Sequence, residues 1–99
     1  MSMRPATSSG RKTADVAICA RPCLLKSVIL EGDGTNAATA ILYDNKSAAS
    51  GTVLAKLLLP ASGIMCIVFD AKDGIEASNG IYLDIGGTGA ACIVHYASE

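Results

Sequence analysis

Gly80-Ile81-Tyr82-Leu83-Asp84-Ile85-Gly86-Gly87-Thr88-Gly89-Ala90-Ala91-Cys92-Ile93-Val94-His95-Tyr96 is the stretch whose reading decides the fold. Ile81, Leu83 and Ile85 alternate with Tyr82 and Asp84, so every second side chain points to one side of an extended chain. Cys92, Val94 and Tyr96 repeat that period beyond the glycines. Gly86, Gly87 and Gly89 permit a sharp reversal without steric cost. Two alternating runs around such a cluster predict a β-hairpin, the last of the chain.

Within that stretch, Asp84-Ile85-Gly86-Gly87-Thr88 spells the first phosphate-binding motif of sugar kinases with an actin-like fold. Context excludes that reading. The kinase motif opens a two-lobed chain of several hundred residues, whereas here it falls near the end of 99. No room remains for a second phosphate loop or an adenosine site. A plain turn is the better reading.

Hydrophobic residues make up 51% of the chain and charged residues 17%, against about 25% charged in an average globular chain. A domain this short buries only roughly 65% of its unfolded surface. Apolar surface is therefore expected to stay exposed on an isolated subunit, and self-association or a protein partner is the usual remedy. No window reaches the roughly 18 uninterrupted apolar residues of a membrane span. There is no Trp and a single Phe, Phe69, so the core is built from Ala, Val, Ile and Leu. Glycine, Asn, Asp and Ser punctuate short apolar runs throughout. That pattern predicts an all-β fold, an antiparallel β-sandwich of seven or eight strands or a barrel.

In chain order, residues 1–13 lack periodicity and read as a flexible basic arm, leaving residues 14–99 as the sandwich domain. Strands are predicted over Ala14–Ala20, Cys23–Glu31, Ala37–Asp44, Ile64–Phe69 and Ile75–Ser78. Thr52–Leu59 fits a helix through Val53, Leu54, Leu57 and Leu58, and a strand through Val53, Ala55, Leu57 and Leu59. Its β neighbours favour the strand. In that strand Leu54 and Leu58 flank Lys56 on the face away from Val53, a second apolar stripe. Ile64–Phe69 is likewise apolar on both faces. Leu54, Leu58, Met65 and Ile67 are therefore the expected oligomer interface.

Net charge is −1 but unevenly placed. Residues 1–26 hold Arg4, Arg11, Lys12, Arg21 and Lys26 against Asp15 alone. Arg4, Arg11, Lys12 and Arg21 are the expected partner-docking residues. The arm has no aromatic residue for base stacking, so a protein neighbour is preferred over nucleic acid.

No catalytic constellation stands out, and no enzyme activity or cofactor is expected. His95, the one histidine, reads as a surface or interface residue. Cys19, Cys23, Cys66 and Cys92 match no zinc spacing, so no metal is expected. Residues 1–13 show no apolar core of a secretion signal, and reduced core thiols are expected, with a Cys19–Cys23 bridge as the alternative. Asp33, Asp44, Asp70, Asp73 and Asp84 mostly occupy turns. A carbohydrate-binding surface needs exposed aromatics, and Tyr43 and Tyr82 are the ones available.

Ile41-Leu42-Tyr43-Asp44, Gly51-Thr52-Val53-Leu54-Ala55-Lys56-Leu57, Gly80-Ile81-Tyr82-Leu83-Asp84, and Gly87-Thr88-Gly89-Ala90 closing on Val94-His95-Tyr96 form a further pattern. In strand and turn order, over about residues 22–97, this resembles small structural proteins of tailed bacteriophages, which implies an antiparallel β-sandwich that is jelly-roll-like. The resemblance implies a non-enzymatic virion protein, assembled in the host cytoplasm. Its expected role is decorating or cementing the capsid as a homotrimer docked on the major capsid or another virion protein. The alternative is a carbohydrate- or receptor-binding module of a tail fibre.

Overall fold

The computed structural model describes residues 7–61, 64–68 and 74–98, and within them the protein is all-β. Nine strands are present: β1 (Thr7–Lys12), β2 (Val16–Cys19), β3 (Cys23–Glu31), β4 (Ala38–Tyr43), β5 (Val53–Leu59), β6 (Ile64–Val68), β7 (Ile75–Ala77), β8 (Ile81–Gly86) and β9 (Ala91–Ser98). They form two antiparallel sheets. Sheet A runs β1-β9-β3-β6, with β7 also on β3, and sheet B runs β2-β8-β4-β5.

The winding follows from the pairings. β4 pairs with β5, β3 with β6 and β7, β2 with β8, and β1 with β9. These are successive rungs of one long hairpin folded at the β4–β5 connection. Rolling it places alternate rungs in opposite sheets, and the pairings β3·β9 and β4·β8 join them. β6 and β7 lie in line along the same edge of β3, opposite Ser27–Glu31 and Cys23–Leu25. Counted as one interrupted strand, they give the eight strands of a jelly roll.

The strands that line the core, β3, β4 and β8 above all, bury alternate residues. Cys23, Leu25, Val28, Leu30, Cys92 and Val94 from sheet A meet Leu42, Leu57, Leu59, Ile81 and Leu83 from sheet B in one core. Ala38 and Ala40 are fully buried beside them. Burying each large side chain contributes about 1.5–3 kcal/mol.

Three expectations change. The stretch 80–96 is not a hairpin, because β8 belongs to sheet B and β9 to sheet A. Residues 87–90 form an arch from one sheet to the other, and Gly87 permits it. Its φ is 102°, and a side chain there would run into the Ala37 carbonyl and come within 3.0 Å of the Ala38 Cα. Hairpin and arch bury the same alternate residues, so the pattern fits both.

Residues 7–12, read as part of a flexible arm, form edge strand β1. Its side chains are mostly exposed, so apolar alternation has nothing to report. Backbone pairing with β9 holds it, and the Ser9 hydroxyl accepts the Val94 N–H at 2.9 Å where the register slips between Ser8 and Arg11. Met1–Ala6 lie outside the described residues.

On β5, Leu42 faces Ala55 and Tyr43 faces Val53, which leaves Leu54 as the extra residue of a bulge. A bulge shifts the alternation by one. Leu54 consequently packs against the core, while Val53 turns outward and is 48% exposed. Leu54 and Leu58 therefore do not share the outer stripe that strict alternation predicts.

Candidate functional site

The outer face of sheet B carries the main exposed apolar surface among the described residues. Inward residues of β4 and β8 leave Thr39, Ile41, Tyr43, Tyr82 and Asp84 on the outside. Cross-strand pairing arranges them in rows. Ala17 faces Tyr82, Tyr82 faces Tyr43, and Tyr43 faces Val53, so one apolar row crosses all four strands. Asp84, Ile41 and Lys56 make the next row, and Gly86, Thr39 and Leu58 the third. Leu58 is 60% exposed, and it and Val53 are the large hydrophobics that stand clear of the surface. Directly opposed residues on one face touch or nearly touch. Tyr43 and Tyr82 are thus neighbours, which 38 intervening residues conceal in sequence.

Of the expected interface residues, Leu58 lies on this face and Leu54 is drawn into the core. Met65 and Ile67 sit on β6, in register with Leu30 and Val28, and their side chains lie outside the described residues.

The expected basic cluster is dispersed. Arg4 lies outside the described residues. Arg11 reaches across β9 to Glu31, with Nε donating to Oε1 at 3.2 Å. Lys12 sits opposite Cys92 at the start of β9. Arg21 is at the other end of the sandwich, in the β2–β3 connection. There it lines an open cleft of about 450 Å3 with Pro22, Asp44, Asn45, Lys46 and Asn79. Asp44 accepts the Asn79 N–H at 2.8 Å, joining two of the loops that form this cleft. Asn45 builds its own loop: Oδ1 accepts from the Ser47 and Ala48 amides, and Nδ2 donates to the carbonyl and hydroxyl of Ser50.

One pair went unnoticed in the sequence. Ser27 Oγ and His95 Nδ1 lie 2.7 Å apart on the outer face of sheet A, brought together by the β3–β9 register. A nucleophilic serine needs a base, an orienting acid and oxyanion donors. Among the described residues no carboxylate contacts the His95 ring. The pair ties two strands together.

Cys19, Cys23 and Cys92 are buried and not joined in a disulfide, so the Cys19–Cys23 bridge does not form. Cys66 lies on β6, outside the described side chains. Burial pushes the Cys92 thiol up to about 11, which keeps it protonated and unreactive near neutrality. Among the described residues no cluster of His, Cys, Asp or Glu could hold a metal ion. The kinase-like motif is dismantled by the fold: Asp84 faces outward from sheet B, and Gly87 is packed against Ala37. No protein-family model matches the chain, and no curated protein or solved structure does either.

Proposed function

We propose that this protein is a non-enzymatic structural component of a virus particle, a jelly-roll module that decorates and stabilises an assembled shell. The observation that carries the reading is the outer face of sheet B, where Ala17, Tyr82, Tyr43, Val53, Ile41 and Leu58 form an apolar surface suited to assembly. A jelly roll is a frequent scaffold for capsid and lectin domains, and fold alone does not decide between them. Decoration works by mass action: a protein that binds only the assembled lattice stabilises it by about 2.7 kcal/mol per site at one hundred times Kd. Immunogold labelling of particles purified from producing cells tests this. Label on the shell is expected, and protein confined to the soluble fraction of those cells would contradict it.

A second reading, a carbohydrate-binding module, is favoured by the cleft at the opposite end of the sandwich from Lys12. Asp44 and the Asn79 side-chain amide line it and supply polar groups of the kind hydroxyls need. A glycan array decides here: saturable binding abolished by Asn79→Ala supports the second reading, and a blank array removes it.

A further inference from the structure

We infer that the outer face of sheet B is a self-complementary interface, and that a second copy of this chain packs on it about a two-fold axis running along β4. The inference rests on reading that face as an assembly surface and is independent of any virion.

The three rows supply the argument. A two-fold axis along β4 exchanges the positions on β5 with those on β8 and leaves β4 facing itself. In the middle row it places Lys56 of each copy opposite Asp84 of the other, with Ile41 on the axis. In the third row Leu58, 60% exposed, meets Gly86 and the Thr39 side chain beside it, whose Oγ1 lies 2.6 Å from where a Gly86 Cβ would stand. In the first row Val53 meets Tyr82, with Tyr43 at the centre. The charged groups thus find opposite charges, and Val53 finds an apolar partner. A two-fold axis across the strands would instead set Lys56 against Lys56 and Asp84 against Asp84, which like-charge repulsion disfavours. Aligned packing of sheet faces, within about 30°, accommodates the first arrangement.

The charges in one copy are unbalanced in the required sense. Lys56 is exposed and makes no ion pair among the described residues. Asp84 stands beside Asp15, which accepts the Ile85 N–H at 2.8 Å. Burial, then the Asp15 charge and its hydrogen bond, hold the Asp84 carboxyl above the usual aspartate range. A partner's ammonium at that place offsets two crowded carboxylates at once.

Only β5, β4 and β8 overlap about this axis, and three strands about 4.8 Å apart and six residues long give a footprint of roughly 300 Å2 per copy. That is below the size of stable complexes, so a weak dimer populated between high micromolar and millimolar concentration is expected. Sedimentation equilibrium of the purified chain over micromolar to millimolar concentration tests the arrangement. The unmodified chain should reach twice 10.0 kDa. Lys56→Glu and Asp84→Lys should each weaken association on the order of a hundredfold, because the axis repeats every pair. Lys56→Glu combined with Asp84→Lys should restore it, and that recovery also shows that the variants fold. Leu58→Asp should abolish pairing. A monomer at every concentration, a trimer, or a dimer indifferent to the single reversals would overturn the inference. A monomer found on particles would sink this inference alone, whereas a dimer absent from particles would sink only the virion reading.

Discussion

The β4–β5 and β8–β9 connections both join alternating strands through glycine and polar residues. The first returns the chain to its own sheet, and the second sends it to the other. Residues 44–52 have space: the Asp44 N–H donates to the Thr52 carbonyl at 2.8 Å, and the loop is organised by its own Asn45. Residues 87–90 lie against another connection, with Gly87 on Ala37 and Gly89 against the Asp33 side chain. A hairpin loop needs only local geometry, whereas an arch needs a neighbour to pack on. The difference between the two is tertiary.

The largest expected effect falls where the two regions join. Leu83 of β8 pairs with Leu42 of β4, and both are fully buried. Leu83→Ala should cost about 2–5 kcal/mol in denaturant unfolding. A loss below about 1 kcal/mol would mean that β8 does not cover the core.

Next comes a matched pair of glycines. Gly51 and Gly87 have similar positive φ, 94° and 102°, so a Cβ at either incurs the same backbone strain. At Gly51 that Cβ would find its nearest atom, the Asp44 carbonyl oxygen, at 3.7 Å, whereas at Gly87 it collides with the Ala37 carbonyl. Gly51→Ala should therefore cost about 1 kcal/mol and Gly87→Ala about 2–3 kcal/mol or more. Equal losses in thermal unfolding would dissolve the distinction between open loop and packed arch.

A smaller effect, about 1 kcal/mol, is expected for Asn45→Ala, which removes the organiser of the β4–β5 loop from an accessible site. Hydrogen exchange should accelerate at the Ser47 and Ala48 amides and stay unchanged at residues 87–90. Faster exchange in the arch as well would couple regions that the structure keeps apart.

The smallest effect is a pH dependence at Asp33, in the turn beneath the arch. The Asn36 backbone N–H, then the Thr35 N–H and the Asn36 side-chain amide, hold this exposed carboxyl below the usual aspartate value. A depressed folded pKa stabilises above the unfolded value, and that contribution disappears as pH falls through the folded pKa. Melting temperatures of Asp33→Asn should accordingly fall less than those of the parent chain on acidification below the usual aspartate range. Parallel curves would show that the turn does not use the charge.

Fold class and most strand positions were legible because alternation and turn residues are local signals. Strand β1 was not, since Thr7–Lys12 buries little and pairs through its backbone. The exchange of Val53 for Leu54 was hidden because one bulge residue reverses a period-2 pattern without changing composition. Tyr43 beside Tyr82, Ser27 beside His95, and the row of Lys56, Ile41 and Asp84 arise from register between distant strands. No short window of sequence contains them. The separation of Arg11 from Arg21 was hidden for the same reason: they are near along the chain, and the length of a strand lies between them.

The central claim is that β8 and β9 belong to different sheets, and backbone nuclear Overhauser contacts test it most directly. Strands within a sheet lie about 4.8 Å apart and facing sheets about 10 Å apart, so the two arrangements give separate contact patterns. The jelly roll predicts backbone contacts from Leu83 to Leu42 and Val16, and from Ile93 to Ile29 and Arg11, with none between 81–86 and 91–96. A continuous ladder between 81–86 and 91–96 would restore the hairpin and contradict the winding.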